Sequence, residues 1–135
     1  MLQQIPSRYQ EMKESWIALA QEGDACKSIA LALLDQRSEW QNHSRHLVTT
    51  VDGHTLDIRE TQIALDTVVE NFVHISSQKP GESVQLSFLS GKRLLLHING
   101  HSIVDQTVVE EIAPEILNHA RVKVAMLRTL VDQIA

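Results

Sequence analysis

The chain has 135 residues, 43% of them hydrophobic and 21% charged, which fits one globular domain and excludes an intrinsically unfolded chain. Its 12 basic and 17 acidic residues give a net charge of −5, and no basic stripe is available to neutralise phosphates, so no nucleic-acid partner is expected. The single cysteine, Cys26, cannot form an internal disulfide and points to a reducing compartment, and no apolar run is long enough for a membrane span, so the expected setting is the bacterial cytoplasm, with no membrane partner. The N-terminus has no charged stretch leading into an apolar one, as a secretion signal would. With an aromatic fraction of only 4%, Leu, Ile, Val and Ala must build the core.

At the N-terminus, Ser7 followed by Gln10 looks like a capping box, and Tyr9, Met12, Trp16 and Leu19 recur at helical spacing. Gly23 is expected to end this helix and Asp24 to cap a second, on which Ile29, Leu33, Gln36 and Trp40 share a face. The alternation of Ile29, Leu31 and Leu33 leaves a strand reading open for residues 28–34, although propensity favours helix. Residues 47–51 (LVTTV) are strand-like, Asp52-Gly53 is a turn, and residues 54–58 (HTLDI) suit a returning strand. From Arg59 to Ser76 the spacing of Leu65, Val68, Val69, Phe72 and Ile75 predicts a helix with Phe72 in the core, broken at Pro80-Gly81. Val84, Leu86 and Phe88 then alternate, as do Leu94, Leu96 and Ile98, with Ser90-Gly91 between them, so this is the strongest hairpin. Asn99-Gly100 stops the strand. A short helix is expected over residues 105–112, and Pro114 opens a terminal helix with Leu117, Val122, Met126, Leu130 and Ile134 on its apolar face. The order predicts a single domain of the two-layer α+β class. An antiparallel or mixed sheet is covered by helices on one face, with a helical hairpin over residues 1–47 and an α+β core over 48–135.

Residues 64–76 (ALDTVVENFVHIS), 80–103 (PGESVQLSFLSGKRLLLHINGHSI) and 124–133 (VAMLRTLVDQ) resemble, in that order, three pieces of the GHKL superfamily of histidine-kinase-like ATP-binding domains. These are its N-box helix, the strand pair running into its D-x-G-x-G box, and the helix after its second glycine box. The resemblance covers residues 56–135 and puts Asn71 where the family's Asn helps to hold magnesium. It also marks departures. Ile98 stands at the position of the adenine-reading Asp, and isoleucine accepts no hydrogen bond. Gly100 is kept, but Ser102 replaces the last glycine of the box. Residues 120–124 (ARVKV) replace the second glycine box, whose glycines let backbone amides approach phosphates. The resemblance therefore implies a degenerate nucleotide site, with Asn71, Ile98, Gly100 and Ser102 as its remnants and no bound cofactor. A helical hairpin before such a domain is similar to response-regulator phosphotransferases, which carry an acceptor His within the hairpin. Here the first helix has no His, and His43 and His46 lie at or past the end of the second.

No other constellation assembles an acid, a base and an oxyanion device, so no catalytic residue is assigned. Seven histidines are present without H-E-x-x-H or C-x-x-C, and no metal site is assigned. Cys26 reads as a buried thiol and Glu110-Glu111 as a solvated helix face. Trp16 and Trp40, the only tryptophans, with Leu33, are the interface candidates, and the hairpin that carries them is expected to form a homodimer. The function expected is a non-catalytic regulatory or signalling adaptor. The alternatives are a small acidic secretion or assembly chaperone and, after it, a phosphotransferase or ATP-dependent kinase.

Overall fold

The computed structural model describes residues 4–89, 93–105 and 112–135. A long helix, α1 (Gln4–Arg37), is followed by six strands: β1 (Ser44–Val51), β2 (His54–Leu65), β3 (Val68–Lys79), β4 (Glu82–Leu89), β5 (Arg93–Ile98) and β6 (His101–Asp105). A second helix, α2 (Pro114–Ile134), completes the fold. The strands form one antiparallel meander in the order β1-β2-β3-β4-β5-β6. Both helices cover one face of it, which is the expected two-layer α+β arrangement.

Period-2 alternation specifies which face is covered. Leu56 and Ile58 on β2, Val73 and Ile75 on β3, Val84, Leu86 and Phe88 on β4, and Leu94, Leu96 and Ile98 on β5 are all buried. Register aligns them into rows such as Ile58–Ile75–Leu86–Leu96–Val104. Helix α1 lies across the strands. Its Gly23 meets Leu94 and Phe88, Lys27 sits 5.1 Å over the Phe88 ring, and Asp35 pairs with Arg45 on β1. Helix α2 runs beside it in the same direction: Arg128 bonds Glu22 at 3.1 Å, and the C-terminal Ala135 comes close to Ser28 and Ala32. Leu117, Ala120, Val124, Leu127, Leu130 and Val131 turn inward from α2.

Three expectations are corrected. The hairpin over residues 1–47 is one helix to Arg37 followed by a turn, because Gly23 serves close packing rather than termination. The helix over 59–76 is instead the second half of β2 and most of β3. Phe72 is half-buried on the uncovered face, and Val68 and Val69 are exposed. The inward face of α2 shares Leu117 and Leu130 with the expected one, but Val122 is exposed. Residues 28–34 are helical. The side chains of Ser7, Tyr9 and Leu65, the Ser90-Gly91 turn, and residues 106–111 of the expected short helix, Glu110 and Glu111 among them, lie outside the described residues.

Candidate functional site

The β2–β3 hairpin outgrows the sheet. It pairs from Thr55–Gln78 to Leu65–Val68, but β1 reaches only as far as Thr61 and β4 only as far as Val73. From Gln62 to Asn71 the chain is therefore a two-stranded arm, turned at Asp66, whose φ of 54° is a left-handed conformation that Asp tolerates. No core selects inward side chains there, and the arm displays Val68 at 53%, Val69 at 64% and Ile63 at 38% exposure. Between Gln62 and Gln78 the acids Asp66 and Glu70 meet no Lys or Arg in sequence.

The base of the arm is held by a charged cluster on the covered face. Glu60 is buried, and its Oε1 accepts from Arg45 Nε at 2.8 Å while its Oε2 accepts from Asn71 Nδ2 at 3.0 Å. Arg45 also pairs with Asp35 at the end of α1 and lies 4.9 Å from the Trp40 ring centroid. Burial disfavours the Arg45 cation, but its bonds to Asp35 and Glu60 outweigh this and hold its pKa above the ordinary value. The cluster ties the end of α1, the start of β1 and both strands of the arm together.

The uncovered face of the sheet adjoins the arm. Phe72 and Leu89 sit side by side on it, just past the Val73–Phe88 pair, with Leu95 on the next strand. Farther along, it becomes polar. A row runs His46–Arg59–His74–Ser87–Leu95, and His46 Nε2 lies 2.6 Å from Asp57 Oδ1. His74 Nδ1 is 2.8 Å from Ser87 Oγ. Partial burial pushes the His74 pKa down, Arg59 and His97 push it the same way, and Asp57 opposes them.

Of the remnant nucleotide-site positions, Asn71 is on a strand rather than a helix, and its amide is engaged by Glu60. Ile98 is 8% exposed in the core, Gly100 forms the β5–β6 turn with φ 81°, and Ser102 is exposed on β6. These four residues thus belong to a hairpin base, a core row and a turn. His97 and His101 do flank that turn, whereas His43 lies in the turn before β1 and His46 on β1. The Cys26 thiol is buried, and burial raises its pKa to about 12, which keeps it protonated and unreactive. Among the interface candidates, Leu33 is 1% exposed in the core, Trp16 packs against the core from its edge, and Trp40 is 42% exposed beside β1.

The arm was missed in the sequence because its valines fit a helical stripe as well as a strand. The available signal was the β-branched run Thr67-Val68-Val69 beside a turn-forming Asp66. Among the described residues no helix is long and apolar enough to cross a membrane. No family model, characterised protein or solved structure matches the chain.

Proposed function

We propose that the chain is a non-catalytic protein-interaction module, working as a homodimeric adaptor, whose partner docks on the β2–β3 arm and the apolar strip at its base. The observation that carries this reading is the arm itself. Three large apolar side chains are held out in solvent on a ribbon anchored by the buried Glu60 carboxylate, which Arg45 and Asn71 engage. Exposed apolar groups on a preorganised element are an interaction signature, because ordering them for a partner loses little entropy. The arm's unbalanced acids select a partner surface whose apolar residues are bordered by Lys or Arg.

The test is a photo-cross-linking amino acid placed at Val69, and at Asp24 on α1 as a control, in cells producing the full chain. A discrete adduct from position 69 alone is expected, with Lys or Arg in the cross-linked partner peptide and with Val68→Asp abolishing it. No adduct, or one on an acidic peptide, would reject the reading.

A chaperone that holds an extended segment of cargo is the second reading, favoured by the backbone edges of the arm beyond Gln62, which no strand pairs among the described residues. It is distinguished by cargo that is unfolded when bound. A place in signalling rests on the kinase-like resemblance alone. No binding of magnesium-ATP is expected in calorimetry, since the Ile98 side chain lies in the core.

A further inference from the structure

The two edges of the sheet differ. Strand β6 has five residues, a register shift opposite Leu96/His97, and Asp105 held by Arg93 at its end. Short, bulged, charged edges resist the addition of another strand. Strand β1 has eight residues in unbroken register with β2, and Leu47–Val51 contains no charge, proline or bulge. Among the described residues its open side carries none of those protections.

The directions of its backbone groups follow from the hydrogen bonds. Ser44 exchanges both of its backbone bonds with Gln41, at 2.7 and 3.0 Å, whereas His43 O accepts from Gln62 N of β2 at 2.8 Å. Odd-numbered residues thus face β2, and the N–H and C=O groups of His46, Val48 and Thr50 face away from the sheet. Gln41 plugs the ladder at Ser44, and the turn at Asp52, with φ 49°, ends it after Val51.

We infer that β1 is the homodimer interface, pairing antiparallel with β1 of a second copy across a two-fold axis at Val48 to give one continuous twelve-stranded sheet. This rests on the self-association reading above and names the surface that performs it. The Val48 register sets Val48 against the partner's Val48, His46 against the partner's Thr50 and Leu47 against the partner's Thr49. It satisfies all three outward residues on each strand, about six backbone hydrogen bonds, and puts no like charges opposite each other. Centring on His46 would set histidine against histidine and need the Ser44 groups that Gln41 already holds. Centring on Thr50 would pair Val48 with Asp52, inside the turn. The pairing also sets Val48, 53% exposed, against its copy.

Val48→Pro tests this directly. It removes an N–H that points away from β2, so the β1–β2 ladder keeps its bonds. In sedimentation equilibrium at high micromolar concentration the unaltered chain is expected to be a dimer, and V48P a monomer with an unchanged far-ultraviolet spectrum. Val48→Cys, oxidised with diamide, is expected to give a disulfide-linked dimer, whereas Thr50→Cys, which faces the partner's His46, is not; the buried Cys26 takes no part. Should V48P unfold, Val48→Lys, which sets two ammonium groups face to face, is expected to give the monomer instead. An unaltered chain that stays monomeric overturns the self-association reading itself. A dimer that survives these substitutions, or one in which V48C fails to cross-link, overturns only the β1 interface.

Discussion

The two faces of the sheet are made from the same strands yet follow different rules. On the covered face, row after row is Leu, Ile or Val, and the charged intrusion, Glu60, has a partner for each carboxylate oxygen. Ser77 Oγ and His54 Nδ1, also buried there, have no hydrogen-bond partner among the described residues. On the uncovered face Thr, Ser, Gln and His stand beside Phe72, Leu89 and Leu95. Covered positions are selected by packing, and uncovered ones by whatever meets them. Stability should therefore reside on one face and recognition on the other.

The largest effect tests the first half of that contrast. Leu96→Ala, fully buried between Leu86 and Val104 on the covered face, is expected to cost about 4 kcal/mol in denaturant unfolding. Gln85→Ala on the other side of the same sheet should stay within about 0.5 kcal/mol. Equal losses would mean that something covers the second face. Glu60→Ala comes next, at about 3 kcal/mol, because it leaves the largely buried Arg45 guanidinium without its carboxylate at the base of the arm; Asp35 keeps part of the Arg45 charge paired. Val68→Ser, farther out on the same arm, should leave stability within about 0.5 kcal/mol while abolishing partner cross-linking from position 69. Such a split would separate the foundation of the arm from its working surface.

How legible each region was follows the same division. The two strands of the β4–β5 hairpin could be read, since Val84, Leu86, Phe88, Leu94, Leu96 and Ile98 alternate cleanly and all face the helices. Asp52-Gly53 was legible as a turn, because a residue with φ near 50° followed by a glycine near 80° makes the tight turn that strand twist demands; Asn99-Gly100 has the same geometry but reads only as a strand stop, and the returning strand β6 is not expected from the sequence. Residues 59–76 were misread where burial stops guiding the alphabet. Glu60 interrupts the apolar period on the covered face, and beyond Gln62 no neighbour strand imposes one, so Val68, Val69, Phe72 and Ile75 fell into helical spacing by coincidence. The candidate site lies in that stretch, and the features that make the arm available to a partner are those that hid it. Trp40 was singled out from the sequence as an anchor, but its place beside β1 depends on the turn at Asn42 and His43, with φ of 50° and 65°, which no periodicity reveals.

Gly23 sharpens the comparison from the helix side. A Cβ there would lie 2.8 Å from Leu94 Cδ1 and 3.6 Å from Phe88 Cζ. Alanine would gain about 1 kcal/mol of helix propensity. Crowding a filled core costs about 1–3 kcal/mol, moderated here because the nearest atom is the end of a flexible side chain. Gly23→Ala is expected to lose about 1 kcal/mol net, and Gly23→Val clearly more, read from paired denaturant curves. A stabilised G23A would show that α1 has room above Leu94 and that glycine is there for another reason.

The smallest effect concerns His74, on the uncovered face. Its pKa in the folded chain lies below the ordinary histidine value, first because partial burial disfavours the cation and then because Arg59 and His97 repel it, with Asp57 opposing. The unfolded chain therefore takes up a proton at this site before the folded chain does, and stability rises with pH across that interval. The contribution is fully present above the unfolded value of about 6.5 and is lost progressively as pH falls below it toward the folded value. His74→Asn keeps a polar group opposite Ser87 and removes the titration. Unfolding free energies from neutral to about pH 5 should fall more steeply for the unaltered chain than for H74N, the other histidines and the carboxylates cancelling in the difference. Parallel curves would mean that His74 is as well hydrated folded as unfolded. The uncovered face would then be solvated even at its centre, and its apolar strip would end at Phe72 and Leu89 rather than extend toward the histidine row.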